Sequence, residues 1–432
     1  MTAEPDKETQ EPTKNNASKS ERSFLQRLFI RRGIFSALVI PVLSVFTAFL
    51  IGGIIIALSD PEVLAAWANF LQAPLYALQI TWQTVWEAYL ALFQGAFGVP
   101  REIIEGFRIW RQTGNPRELL EAMRSFSESL VITTPYIYAG LSVALGIRGG
   151  LFNIGAEGQL FVGGLAAAYV GYAVTGLPAI IHLPLAIAAG LLAGAIWGAI
   201  PGYLKARTGA HEVINTIMMN YIAFRLTDYL LSGPMARPGG MPITPLVRPT
   251  AYLPTLLPPP VRLHWGFFLA LAVAYLVYWY LWKTPRGMEI RMTGQNQNAA
   301  RYAGIRIGFI IVLTMSLAGA LAGMSGVNQI LGVDHQLVRA FSTGYGFDSI
   351  ALALLGNSHP LGVVLSALLF GFMRGGAARM QSVAGTPVEI IRIIQGLVII
   401  FVAAPEIIRS IYRIKAPLKE EPVISEGLSS QL

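Results

Sequence analysis

A chain of 432 residues that is 54% hydrophobic and only 13% charged is no ordinary soluble domain, in which roughly a quarter of residues carry charge. Its charges cluster between long apolar runs instead of alternating with them, so the chain reads as an all-α polytopic membrane protein, its core buried in lipid as well as in protein. The net charge of +8 lies mostly in loops and tails beside those runs, a positive-inside pattern that argues against nucleic acid as a partner, while zero cysteines exclude disulfides and thiolate metal sites.

In chain order, residues 1–33 are a polar, apolar-poor segment expected to be a disordered cytoplasmic tail, basic towards its end at Arg22, Arg27, Arg31 and Arg32. The run Ile34–Leu58 is too long for a signal-peptide core and shows no small-residue cleavage site, which predicts an uncleaved first span with its N-terminus inside. Residues 59–128 form an insert. Its first part holds Trp67, Trp82, Trp86, Pro74 and a buried-looking Glu87, and fits either helices lying in the membrane interface or a hairpin of short spans. Its second part, Arg101–Arg124, mixes five arginines with four glutamates and predicts an amphipathic surface helix.

The span pattern is clearer over 129–408. Ser129–Ile147 precedes Arg148-Gly149-Gly150, and Leu151–Thr175 opens on the polar run Asn153 to Gln159. Ala179–Leu204 carries Gly190, Gly194, Gly198 and Gly202 at a spacing of four, a glycine groove that either packs statically or forms a sliding or dimer seam. Glu212–Leu231 contains Asn215, Asn220, Arg225 and Asp228, with the last two placed to neutralise each other. Residues 232–264 hold nine prolines and suit an extended outer loop.

Trp265–Trp282 leads to a basic loop, Lys283–Gly304, in which Asn298, Ala299, Ala300 and Gly304 have the spacing of a short helix with a small-residue face and a glycine stop. The span Ile307–Leu331 follows, with Gly319, Gly323 and Gly326 as contact positions. Gly344–Gly356 is too short to cross alone and predicts a half-helix. Pro360–Gly375 and Glu389–Ile408 complete the set before a basic cytoplasmic tail, 409–432, with Arg409, Arg413, Lys415 and Lys419. Counting the half-helix as a crossing gives about ten transmembrane helices, both termini cytoplasmic, and the basic loops at 148, 205–207 and 283–306 all inside.

No pattern of nucleophile and base, no phosphate-binding glycine loop and no metal-ligand cluster occurs, and the five histidines are scattered, so the chain reads as no enzyme and needs no cofactor. Polar residues within spans carry more information, because lipid makes them costly. Asn153, Glu157 and Gln159 form either a broken helix shaping a passage or the start of a helix, with Asn153 as cap and Glu157 at the dipole end. Glu157 needs a partner, and Arg148 is near in sequence. Asn220 is a further pathway candidate. Tyr136, Tyr138, Tyr221 and Phe224 could stack on a nucleobase or simply pack.

The segments RGGLFNIGAEGQLFVGG, KARTGAHEVINTIMMNYIA, TPRGMEIRMTGQNQNAARYAGI and GYGFDSIALALLGNSHPLGVVLSALLFG follow one another in order. Together they resemble the permease subunits of ATP-binding-cassette importers for nucleosides and simple sugars, of the ribose-permease-like superfamily, over roughly Ser129 to Ala404. The resemblance implies a transmembrane subunit in a permease bundle, driven by a cytoplasmic ATPase with two cassettes in one chain, and fed by an extracytoplasmic substrate-binding lipoprotein. A paralogous permease partner is implied too, with a homodimer as the other arrangement. Importer permeases carry a docking motif EAA-x-x-x-G. Asn298-Ala299-Ala300 and Gly304 match its spacing with Asn in place of the acid, which makes Gly294, Gln295, Asn296, Asn298, Ala299, Ala300 and Gly304 the expected ATPase-coupling residues. The insert and the N-terminal tail depart from the family pattern. A stand-alone ion-coupled transporter or channel is the competing reading, weakened by the few acids within spans. On the coupling reading, a cysteine placed at Asn296 should resist an impermeant thiol label in intact cells and react after permeabilisation; labelling in intact cells would overturn the topology.

Overall fold

The computed structural model describes residues 32–414, and among them the chain is helical, with three isolated β-bridges and no sheet. The N-terminal tail before Arg32 and the basic residues Lys415 and Lys419 lie outside the described residues. Helix α1 (Arg32–Ser59) ends at Asp60, whose carboxylate accepts the Glu62 and Val63 amides and so caps α2 (Pro61–Ala68). Pro74 begins α3 (Pro74–Phe97), a position where its missing N–H costs nothing. Gly98, at φ 89°, turns the chain into α4 (Pro100–Thr113) and α5 (Arg117–Ala122). The amphipathic helix expected over 101–124 is therefore two helices, broken at Gly114-Asn115-Pro116 and packed so closely that a Cβ on Gly106 would lie 2.8 Å from Leu119 Cα. Glu87 is exposed, not buried as its surroundings in the sequence suggest.

Next come α6 (Arg124–Arg148), α7 (Ala156–Ala173), α8 (Ala179–Thr208) and α9 (Glu212–Ser232). After the proline-rich segment stand α10 (Gly266–Lys283), α11 (Pro285–Gln295), α12 (Gln297–Tyr302) and α13 (Ile307–Gln329), the last running into a π-helical turn, Ile330–Asp334. The short helix α14 (Tyr345–Leu355) precedes α15 (Pro360–Ala384), which extends nine residues past the expected stop at Gly375. Finally α16 (Glu389–Ala403) and α17 (Pro405–Ile411) meet at a 90° bend.

Among the described residues six helices, α1, α6, α8, α10, α13 and α15, are long and apolar enough to cross a membrane, and α16–α17 would make a seventh if the bent pair is one span. The count of ten further needs α7 and α9, which are 18 and 21 residues long but diluted by polar residues, and the 11-residue α14.

Glycine decides how these helices meet. The four-residue repeat on α8 strips one face to backbone, and α13 fills that face: a Cβ on Gly198 would stand 3.0 Å from Gly319 Cα, and one on Gly194 2.9 Å from Gly323 Cα. Helix α7 joins from the other side, where Gly164 lies under the Phe341 ring and against the Gly326 carbonyl. The groove is thus filled from within one chain and is no dimer seam. Lipid tails are as apolar as leucine, so helices in a bilayer associate through close contact, which backbone-to-backbone approach maximises.

A second glycine seam brings α15 onto α6, with Gly371 and Gly375 opposite Thr133 and Ser129, and onto α3, with Gly376 against the Leu92 carbonyl. Helix α6 is the most enclosed of the long helices, and Tyr136 and Tyr138 on it have no exposed surface. The proline-rich segment folds back over one end, its Thr244, Val247 and Leu253 amides donating to the carbonyls of Leu337, His335 and Leu331. Arg262 in it holds both oxygens of Glu128, at 2.8 and 2.6 Å. Arg225 and Asp228 do not neutralise each other: Asp228 faces Arg339, at 3.2 Å, because the loop after α13 passes that side of α9.

Gly194→Leu should prevent α8 and α13 from closing and abolish a monodisperse peak in detergent size-exclusion chromatography. Gly308→Ala, whose added carbon would meet only Ala206 Cβ at 3.7 Å, should behave as the parent.

Candidate functional site

The run Asn153–Gln159 enters the fold as a turn. Helix α6 stops at Arg148, Gly150 takes φ 73°, and α7 begins at Ala156 with Gly155 as its N-cap. The segment is therefore a helix start and not a break within a span. Asn153 accepts the Gly155 amide at 3.1 Å and pairs side chain to side chain with Gln159, at 2.9 and 3.2 Å. Asn220, on α9, accepts the Gly158 amide at 2.8 Å and donates to the Ile154 carbonyl at 3.0 Å. These three side chains are at most 1% exposed. Their hydrogen bonds run to the backbone freed by the turn, between Asn153 and Gln159, and from Asn153 to Ser142, so they staple α7 to its neighbours.

Glu157 does something different. Only 3% exposed, its carboxylate accepts the Gly346 amide at 2.6 Å, at the N-terminus of α14. A helix that starts in the interior leaves N–H groups without partners, and a carboxylate there satisfies one while complementing the helix dipole. The sequence neighbour Arg148 is not its partner. Arg148 reaches the other way, donating to the Ser358 and Asn357 carbonyls at 2.9 and 2.8 Å just after α14 ends. Both ends of the short helix are thus held from the turn between α6 and α7.

What α14 presents is a polar cluster that sequence reasoning did not assemble. The Tyr136 hydroxyl donates to Asp348 at 2.7 Å, and Arg374 on α15 donates to the Tyr136 oxygen at 2.6 Å while standing 3.5 Å from Asp348. Tyr345 packs edge-on against Tyr136, with Arg374 over its ring at 5.4 Å. Beside this cluster lies a half-open cavity of about 560 Å³ between α14, α15 and α16, whose walls include Phe347, Asp348, Phe370, Arg374, Arg392 and Gln395. Acceptor, donors and aromatic faces together can meet a hydroxyl-bearing solute. No nucleophile is aligned with a base there. The signal in the sequence was Arg374, one of two arginines within the apolar stretch 360–384, the other being Arg379. Of the aromatic candidates, Tyr136 alone belongs to the cluster; Tyr138 donates to the Gly266 carbonyl at 3.2 Å, Phe224 packs on Phe161, and Tyr221 is exposed.

The basic loop forms α11 and α12. Asn296 caps α12, its side chain accepting the Asn298 and Ala299 amides at 2.9 and 3.1 Å, and Gly304 ends the turn at φ 80°. Gln295, Asn296, Asn298 and Ala299 are exposed, as is Tyr302, at 95%. Ala300 is wholly buried against its own chain, so it cannot belong to an outward small-residue face. Gly294 abuts Gly150, where a Cβ on the latter would come within 2.9 Å of Gly294 Cα. His359, beyond α14, is held below its usual pKa by burial and then by the Arg148 charge.

Residues 125–403 match the family described as the permease component of branched-chain amino acid transport systems. The guanosine ABC transporter permease of Bacillus subtilis is 43% identical over 65% of this chain and 82% of its own length. A glucose ABC transporter permease of Haloferax volcanii is 36% identical over 69% of this chain and 80% of its own length. A nucleoside ABC transporter permease of Lactococcus lactis is 33% identical over 67% and 82%. In Bacillus subtilis and Lactococcus lactis a second, more distant permease also matches. No solved structure matches the chain.

Glu157→Ala should leave the Gly346 amide buried without a partner and cost about 1–3 kcal/mol of stability in a detergent denaturation series. Glu157→Gln, which keeps an acceptor, should cost less. Equal stability of all three proteins would show that the carboxylate does not hold α14.

Proposed function

The chain belongs to the family of transport-system permease components, and from that premise we propose that its cargo is a nucleoside or a closely related sugar. It is a membrane-spanning permease subunit of an ATP-binding-cassette importer. The observation that carries the cargo is the 43% identity to a guanosine permease, supported by the 33% identity to a nucleoside permease. A free-standing ion-coupled transporter is set aside by the same membership.

In this reading a cytoplasmic ATPase supplies the energy and an extracytoplasmic binding protein delivers the solute. The second permease matched in two organisms favours a heterodimer of paralogous chains. Both termini and the 283–306 loop lie in the cytoplasm, and α12 seats on the ATPase through Asn296, Asn298, Ala299 and Tyr302. Gln295 flanks that contact, while Gly294, Ala300 and Gly304 shape the loop from within. The solute passes the cavity beside α14, where Asp348 accepts from its hydroxyls and Arg374 and Gln395 donate. Asn153, Glu157, Gln159 and Asn220 keep α14 in register; they act on the passage through the helix they hold. Closure of the ATPase moves α11 and α12, and the contact of Gly294 with Gly150 passes that movement to the turn before α7.

The reading is tested with the purified complex in proteoliposomes. Guanosine uptake should require ATP and the binding protein. Asp348→Asn should lower uptake at least tenfold while ATP hydrolysis persists. Uptake without ATP, or unchanged uptake by Asp348→Asn, would count against the mechanism.

A further inference from the structure

Two guanidinium groups share one pocket, and among the described residues no acid pairs with either. The pocket, about 220 Å³, opens where the end of α6, α11 and the α14–α15 turn meet, and its walls are Arg148, Trp282, Arg291, Gln295, Asn357 and Ser358 with small neighbours. Both arginines lie against the Trp282 ring, 5.4 and 5.8 Å from its centroid. Each is aimed by the backbone: Arg148 through the Ser358 and Asn357 carbonyls, Arg291 through the Leu281 carbonyl at 2.9 Å. Asn357 and Ser358 present those carbonyls from successive left-handed conformations, φ 51° and 48°, which Asn takes readily and Ser seldom. Among the described residues neither guanidinium has a carboxylate within 4.0 Å, and the acid of α11, Glu289, is taken by Arg286 at 2.7 Å.

Paired, aimed cations in a half-enclosed space take a planar anion well, because guanidinium N–H groups match the two oxygens of a carboxylate. The pocket adjoins Asn296 and α12 through the exposed Gln295 on its rim. Its position therefore selects the macromolecule proposed to seat on α12. We propose that this pocket is a socket for one carboxylate side chain of the partner ATPase, which thus grips the permease at two adjacent points. The inference rests on the reading that α12 faces that ATPase. Once filled, the socket joins the ATPase to the α14–α15 turn through Arg148, a second route to the short helix besides the Gly294–Gly150 contact.

The test titrates the ATPase subunit onto the full-length permease in nanodiscs at low and high salt. Gln295→Glu places a carboxylate at the rim without removing either arginine, and it should weaken ATPase binding at least tenfold at low salt and flatten the salt dependence. Arg291→Gln should do the same, with Arg291→Lys between it and the parent. Tyr302→Ala probes α12 separately. If Tyr302→Ala weakens binding while Gln295→Glu and Arg291→Gln bind like the parent, the socket is wrong and the α12 contact stands. If none of the three weakens binding, both are wrong. If inorganic phosphate binds the parent and not Gln295→Glu, while ATPase affinity is unchanged, the pocket serves a small anion and the proposal is overturned.

Discussion

The fold turns on a carboxylate meeting the buried end of a short helix. Helix α14 begins with Tyr345 and Gly346 buried, and Glu157 reaches across from α7 to accept the Gly346 amide. The penalty for leaving that amide unpaired is what makes the contact decisive, more than the modest net strength of the bond itself. Around it the rest falls into order. The Asn153–Gln159–Asn220 network fixes where α7 starts, the start of α7 fixes Glu157, and Glu157 fixes the level of Asp348 beside Tyr136 and Arg374.

Glycine provides the complementary constraint. Helices α7, α8 and α13 approach until backbone touches backbone, so their relative depth cannot drift without collisions at Gly194, Gly319 and Gly323. A rigid triple of this kind gives α14 and α15 something to be measured against. The polar cluster stands at the start of α14, while the far end of that helix is tied back to the end of α6 by the Arg148 side chain. The two ends of α14 are secured by residues only nine apart in sequence, on the same turn.

What the sequence disclosed follows from the range of the forces involved. The spacing of Gly190, Gly194, Gly198 and Gly202 marked a contact face, and Asn296 with Gly304 marked a capped helix, because both signals are local. The main apolar helices were legible for the same reason. The partner of Glu157 was not, since Gly346 lies 189 residues away and an amide carries no sequence signature. Arg148 and Asp228 were assigned to charged neighbours in the sequence, but tertiary packing offered each a better geometry elsewhere. Arg374 is the last residue but one of the expected span Pro360–Gly375 and looks like a charge at a helix end; the helix instead continues to Ala384, with Gly375 and Gly376 as contact points against α6 and α3. Ala300 fitted the spacing of a docking face, yet the short helix is rotated so that this residue packs inward.

The insert ahead of the family-matched region, finally, is built into the wall. Helix α3 lies along α15, with Gly95 and Leu92 closing over Gly376, and α1 packs Gly52 against Ile394 of α16. A shortened protein trimmed to the shared boundaries would therefore uncover the smooth side of α15 and one flank of α16, surfaces shaped for helix and not for lipid chains. The N-terminal helices are thus part of the wall itself, masonry and not ornament.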